Sequence, residues 1–498
     1  MTRALREAGT GPGENTGRLE WRALPLGAAN AYDYALQLLL PVVLVRCLEA
    51  DAFGGYRLLW LAVGTLMALA PLAMPQSLYY FLPSADRPVR RLYINQTLIF
   101  LAGAGLIAAW ALSGWNPWLP EKLRAVTGHD AIVPAFLCLW LVASLLDTLP
   151  IVEERVVWQA KATIGLATLR AFALSVTALA TRELAPVLVV LLAFAALKVT
   201  VLFCYVARHH GLGGPLLRGD AFADQLRHAA PFGFSSALYG LRSQADQWVA
   251  AAVFPLASFA AFSIGSVLTP MVHLFRQSIN QAFLPSMSRL QAAGDLAGML
   301  QLNNRANVMV GILVYPLLAF AFTFAEELVT VVYTPAYVEA APVMRVYIAA
   351  IAALTVELAG IMLLLREGPF ALRVNVLALG LSIGLSWIAA QRYGLPGAAL
   401  GSVVAVYIDR MATLQRIALR TGIPFGQLQN WRALGTLLLF SALAALPAWF
   451  MVRHYFAASG PLVHLAVGGA MLGAVYAALL GCSAMSAGGL LAARESGR

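Results

Sequence analysis

Residues 184–207 read LAPVLVVLLAFAALKVTVLFCYVA, an apolar stretch whose one charge is Lys198. A helix needs about 20 such residues to cross hydrocarbon, and one that is apolar on every side has no water-facing surface. Thirteen similar runs accompany it, near 24–45, 57–82, 92–113, 131–151, 161–181, 231–254, 257–285, 306–332, 341–365, 371–390, 395–417, 433–452 and 461–482. They are too long and too evenly apolar for the alternating strands of a barrel. The expected fold is therefore an all-α polytopic membrane protein with about fourteen transmembrane helices.

Composition agrees. Charged residues make up 12% of the 498 and apolar residues 60%, where soluble domains carry about 25% charge. A chain this apolar cannot cover itself with solvated groups. That excludes a cytosolic multidomain enzyme, a secreted disulfide scaffold and a disordered protein. The four cysteines stand singly, and a small buried hydrophobe is the expected role of each. The first 22 residues hold four arginines and no apolar core, so no cleavable signal is read there. There is no GxxxxGK[ST], no HExxH and no metal-spaced His/Cys set; no cofactor, no metal and no nucleic-acid partner are expected.

Orientation follows the bases. With the N-terminus inside, the inward segments carry 21 Arg and Lys and the outward ones 8. This bias predicts fourteen spans with both termini cytoplasmic. No connecting segment is long enough for a soluble domain; the longest are about 113–130 outside and 209–230 inside. A repeat is also visible. Phe53-Gly-Gly-Tyr56 opens the second span and Phe81-Leu-Pro-Ser84 closes it; Phe259-Ala-Ala-Phe262 opens the eighth and Phe283-Leu-Pro-Ser286 closes it. The expected organisation is a cytoplasmic tail (1–23), a six-helix lobe (24–207), a cytoplasmic linker (208–230), a second six-helix lobe (231–417), and two extra helices with a tail (418–498). Six spans per lobe make the repeats parallel. Gly380-xxx-Gly384 and Gly397-xxx-Gly401 predict close helix packing.

Five bases lie within spans, and four of them, Arg170, Lys198, Arg242 and Arg276, lie deep. Facing lipid they would cost roughly 10–14 kcal/mol together. They are expected to face inward and to line a wet, basic passage suited to an anionic substrate such as a pyrophosphate. Arginine keeps its charge at any working pH, and its planar fork matches phosphate oxygens. Asp33 shares a helix face with Asn30 and Gln37; Asp33, Asp246 and Glu357 are the expected sites for a coupling cation. A structural reading stands beside each: Arg242 and Asp246, four apart, could neutralise one another, and the Asp33 stripe could be a hydrogen-bond network.

Through Phe53-Gly-Gly-Tyr56, Arg242-Ser-Gln-Ala-Asp246-Gln247, Phe259–Ile264, Phe283-Leu-Pro-Ser286 and Gly294-Asp295 the sequence resembles the polysaccharide transporter (O-antigen flippase) family. That family lies within the multidrug/oligosaccharidyl-lipid/polysaccharide (MOP) exporter superfamily. The resemblance, over about 24–420, implies two six-helix bundles in a V and alternating access. It also implies export of an undecaprenyl-pyrophosphate-linked oligosaccharide across the bacterial inner membrane, for O-antigen, lipopolysaccharide or exopolysaccharide, with H⁺ or Na⁺ antiport. Partners would be the lipid-linked oligosaccharide, membrane lipids, a polysaccharide polymerase and glycosyltransferases. The loop words of the related lipid II flippases are not evident. Two other readings remain open: a multidrug exporter of the same superfamily, and a membrane glycan polymerase or ligase.

Overall fold

The computed structural model describes residues 12–83, 85–127, 131–211 and 213–486. Among them the regular elements are all helical: α1 Pro12–Cys47, α2 Ala50–Leu69, α3 Met74–Phe81, α4 Arg87–Ala111, α5 Glu121–Thr127, α6 Ile132–Ala143, α7 Leu149–Val152, α8 Val156–Thr181, α9 Leu184–His210 and α10 Gly219–Val253. They continue with α11 Leu256–Gly265, α12 Leu268–Ala292, α13 Leu296–Thr323, α14 Ala325–Val332, α15 Ala340–Leu354, α16 Ala359–Leu364, α17 Gly368–Thr421, α18 Trp431–Tyr455 and α19 Pro461–Ser486. Ten helical stretches among the described residues are long and apolar enough to span a membrane. All fourteen apolar runs fall on helices or broken helices. α17 carries two of them, and the stretches at α10, α11–α12 and α15–α16 are more polar or interrupted.

The chain divides into two compact units, 1–240 and 241–498, with the division inside α10. The broken second and fourth spans recur in both, and the second unit continues with α18 and α19. In the first, α2–α3 is one helix broken at Pro71–Ala73, where Leu72 and Ala73 take positive φ (42° and 57°). α6 and α7 are a second broken helix, joined by a 3₁₀ turn at Ser144–Asp147. In the second unit α11–α12 breaks at Ser266–Val267, and α15–α16 breaks at Thr355–Leu358. Both fourth spans end in one motif: a left-handed residue (Glu154, φ 59°; Arg366, φ 57°). The next amide then reaches back five residues, Arg155 N to Pro150 O and Glu367 N to Met362 O. This is the Schellman closure, which uses up the helix's last free carbonyls. Phe53 and Phe259, one from each repeat word, are both fully buried.

The matching endings do not correspond. Phe81 closes α3, whereas Phe283-Leu-Pro-Ser286 lies inside α12, which passes through Pro285 and runs on to Ala292. Ser84 and residues 1–11 lie outside the described residues. Residues 12–23 of the expected tail continue α1, and α10 starts at Gly219, within the expected linker.

The 54-residue α17 is two helices folded back on each other at Gly394 (φ 66°, ψ −147°), a conformation essentially reserved for glycine. Gly397 and Gly401 let the two halves touch: an added Cβ would lie 2.1 Å from Ala389 O and 2.3 Å from Ser386 N. The other expected packing pair, Gly380 and Gly384, meets nothing within 4 Å. α18 and α19 pack on each other and on α13 and α14, so the C-terminal pair belongs to the second unit.

Candidate functional site

In the first unit α1 and α8 lie side by side. The Asn30–Asp33–Gln37 face of α1 turns toward α8: Arg170 Nη2 donates to Asp33 Oδ1 at 2.8 Å, and Gln37 Nε2 donates to Asp33 Oδ2 at 2.9 Å. The 3₁₀ turn brings Asp147 toward α9, where Lys198 Nζ donates to its Oδ2 at 2.8 Å and stands 4.9 Å over the Trp140 ring. Both ion pairs face one cavity of about 430 Å³, lined among others by Asn30, Asp33, Gln37, Asp147, Arg170 and Lys198. Three of the predicted site residues thus meet in one polar chamber, roomy enough for water or a phosphate group.

In the second unit the bases are held differently. Arg242 donates from Nη1 to Asn375 Oδ1 at 2.6 Å, and its Nη2 pairs with Asp409 Oδ2 at 3.3 Å. The expected neutralisation by Asp246 does not form. Asp246 is 2% exposed and instead accepts from Tyr347 Oη at 2.7 Å and from Gln247 N at 2.8 Å. The reason is reach: a short aspartate directed at α15 cannot also serve a guanidinium that already has a carboxylate and an amide on α17. Arg276 Nε pairs with Glu357 Oε2 at 2.9 Å, and its Nη1 donates to Leu354 O at 2.8 Å.

Glu357 also sits in the break between α15 and α16 and repairs it. Its Oε1 accepts from Ala359 N at 2.7 Å, its carbonyl accepts from Asn303 Nδ2 at 3.1 Å, and its amide donates to Asn307 Oδ1 at 3.1 Å. Backbone released by a broken helix at membrane depth must find such partners.

The surplus of positive charge expected from the sequence is corrected at this point. Each of the four predicted cations has a carboxylate partner: Arg170 with Asp33, Lys198 with Asp147, Arg242 with Asp409, and Arg276 with Glu357. A lone buried guanidinium costs several kcal/mol, and an adjacent acid is how such a charge is retained. Asn303, Asn307, Tyr347 and Asn375 are the residues that sequence reasoning missed; Asp147 and Asp409 count as shallow along their spans, able to reach the cytoplasmic face, and fall outside the expected site. Isolated Asn and Asp in apolar runs were the available signal.

A further carboxylate closes the end of each unit's fourth span. Glu153 takes hydrogen bonds from Tyr205 and His210 on α9, and Glu367 takes them from Arg416 and Arg420 on α17. Burial opposes the charge of Glu153, but the bonds from His210 and Tyr205 outweigh it and lower its pKa. The bond from Arg416 leads in lowering that of Glu367.

Residues 157–342 match the family model described as "Polysaccharide biosynthesis protein". Among solved structures, the lipid II flippase MurJ in an inward closed conformation is similar at TM-score 0.67. The identity is 11%, and the match covers 92% of this chain and 98% of that one. A mutant of the Vibrio cholerae MATE transporter VcmN matches at TM-score 0.56 and 13% identity, over 83% and 98% of the two chains. The fold is that of the MOP-superfamily transporters. A MOP-superfamily transporter from Pyrococcus furiosus, described as having a binding pocket of reverse polarity, matches at TM-score 0.55 and 12% identity over 80% and 94%. No curated protein matches in sequence. The resemblance read from the sequence thus has support in both the family model and the fold.

Proposed function

We propose that the protein is a flippase that carries an undecaprenyl-pyrophosphate-linked oligosaccharide across the bacterial inner membrane by alternating access, coupled to H⁺ or Na⁺. The observation that carries this reading is the pair of ion pairs, Arg170–Asp33 and Lys198–Asp147, facing a single 430 Å³ cavity. Paired bases are not spent bases. A pyrophosphate brings its own negative oxygens and can take over Arg170 and Lys198, leaving Asp33 and Asp147 without a cationic partner. Each freed carboxylate then favours a proton or a cation. Substrate and cation are thereby exchanged without leaving an unpaired charge in the membrane. Within the second unit, Arg242 and Arg276 are the proposed contacts for a substrate anion, with Asp246 and Glu357 as its acids.

The test is translocation of a fluorescent pyrophosphate-linked oligosaccharide in proteoliposomes, together with surface polysaccharide in a deletion strain. Arg170→Ala, Lys198→Ala, Arg242→Ala and Arg276→Ala should each lower transport while the protein still inserts. Normal output from all four removes the site assignment. The MATE likeness keeps the multidrug exporter as a second reading; a deletion strain sensitised to cationic drugs, with normal glycan, would favour it. Lipid-linked glycan accumulating on the outer leaflet would instead indicate a polymerase.

A further inference from the structure

Arg91 lies one turn into α4, on the face that the arginine bias assigns to the cytoplasm. It is only 7% exposed, and its Nε and Nη1 are fully buried with no hydrogen-bond partner among the described residues. Among the described residues no carboxylate lies within ion-pair distance of Arg91, although Asp86 precedes α4 and Asp220 opens α10. Every deep base described above has an acid; Arg91 has none among the described residues.

Its surroundings are built. The segment 213–218 folds over α4, with Gly214 (φ 121°) so close to the Arg91 stem that an added Cβ would lie 3.1 Å from its Cγ. Asn95 Nδ2 donates to Pro215 O at 3.0 Å, and Arg218 N donates to Gln96 Oε1 at 3.4 Å. That leaves Gln96 Nε2 as another buried donor without a partner. Beside it, fully buried Gln225 of α10 donates to Ser77 and Thr97 at 2.9 and 3.0 Å, fastening α10 to α3 and α4. Among the described residues the unused groups on α4 are thus donors, under a strap that ends in Arg218, with Arg87 and Arg90 in the same helix and no acid paired to Arg91.

We propose that Arg91 and Gln96 form an anion site for a phosphate group, separate from the cavity at Arg170 and independent of the flippase reading. Phosphate oxygens can accept from the Nε–H and the Nη1–H, which face different sides of the guanidinium and have no partner among the described residues, and phosphate supplies the counter-charge. Two sources share this chemistry: the headgroup of an anionic phospholipid and free phosphate. A bound phosphate would hold strap 213–218 and the start of α10 onto the first unit.

The test uses the full-length protein and two probes. In one arm it is purified in neutral detergent and titrated with inorganic phosphate against chloride at equal ionic strength. In the other it is placed in phosphatidylcholine nanodiscs with or without phosphatidylglycerol, and bound lipid is counted by native mass spectrometry. Wild type should gain thermal stability in one arm, which identifies the source. Arg91→Met should lose that gain and, in the lipid arm, one bound lipid. Arg91→Lys keeps a charge without the fork and should bind at least about tenfold more weakly; it carries the test if Arg91→Met does not fold. Equal gains and equal stoichiometry in wild type and both variants would overturn the site. So would the absence of any gain from either probe in wild type.

Discussion

Removing Arg276 puts the deepest pair of the second unit to the test. Arg276 and Glu357 side chains are 8% and 9% exposed and 2.9 Å apart. Charge centres about 4 Å apart at an effective dielectric of about 20 attract by about 4 kcal/mol. Breaking a buried pair by deleting one partner costs about 3–5 kcal/mol, because the other charge is stranded. Arg276→Met should therefore destabilise the protein by that amount, and it also removes the bond to Leu354 O that steadies the broken helix. Arg276→Met/Glu357→Gln removes both charges; the glutamine can still accept from Ala359 N and should recover most of the loss. Equilibrium unfolding in mixed micelles measures both. Transport separates the roles: a substrate-binding arginine predicts that the double variant regains stability and stays inactive. If Arg276→Met alone costs less than about 1 kcal/mol, the pair is exposed to water and the reasoning fails.

Two further perturbations follow from the fold. Gly401→Ala drives a Cβ into Ser386 N and Oγ at 2.3 Å and should cost about 1–3 kcal/mol. Gly380→Ala meets nothing and should be neutral or stabilising by up to about 1 kcal/mol; equal effects in thermal unfolding would refute the close packing at Gly394. Glu153 and Glu367 both have folded pKa values below their ordinary 4.5. Their stabilisation is complete above that value and is lost as pH falls through the lowered ones. Protease resistance should therefore drop on acidification below about pH 4.5, and Glu153→Gln with Glu367→Gln should flatten that limb. An unchanged acid profile in the double variant would exclude the two closures as its cause.

Much of the fold was legible in the sequence because hydrocarbon imposes a minimum length on each apolar run. The helices from 184 and 433 show this plainly. The breaks were harder to read. At α2–α3 Pro71 and Pro75 mark a kink in the sequence, but the break itself is carried by Leu72 and Ala73, residues that do not announce positive φ. Of the four bases counted as deep, Lys198 and Arg276 are buried and Arg170 and Arg242 part-buried, but depth says nothing of partners. Asp147 and Asp409 looked shallow when counted along the chain. A 3₁₀ turn and a helix hairpin bring them to Lys198 and Arg242, and only tertiary structure supplies that information.

The one-residue reversal at Gly394 bears on how the protein is made. Residues 368–421 reverse with no loop between their two halves, and Ser382 and Ser402 already share a hydrogen bond across them. The pair is therefore suited to leaving the translocon as a preassembled wedge rather than as one helix and then the next. An epitope or reporter spliced in near residue 394 would pry that wedge apart, and the topology it reported would be that of a misassembled chain.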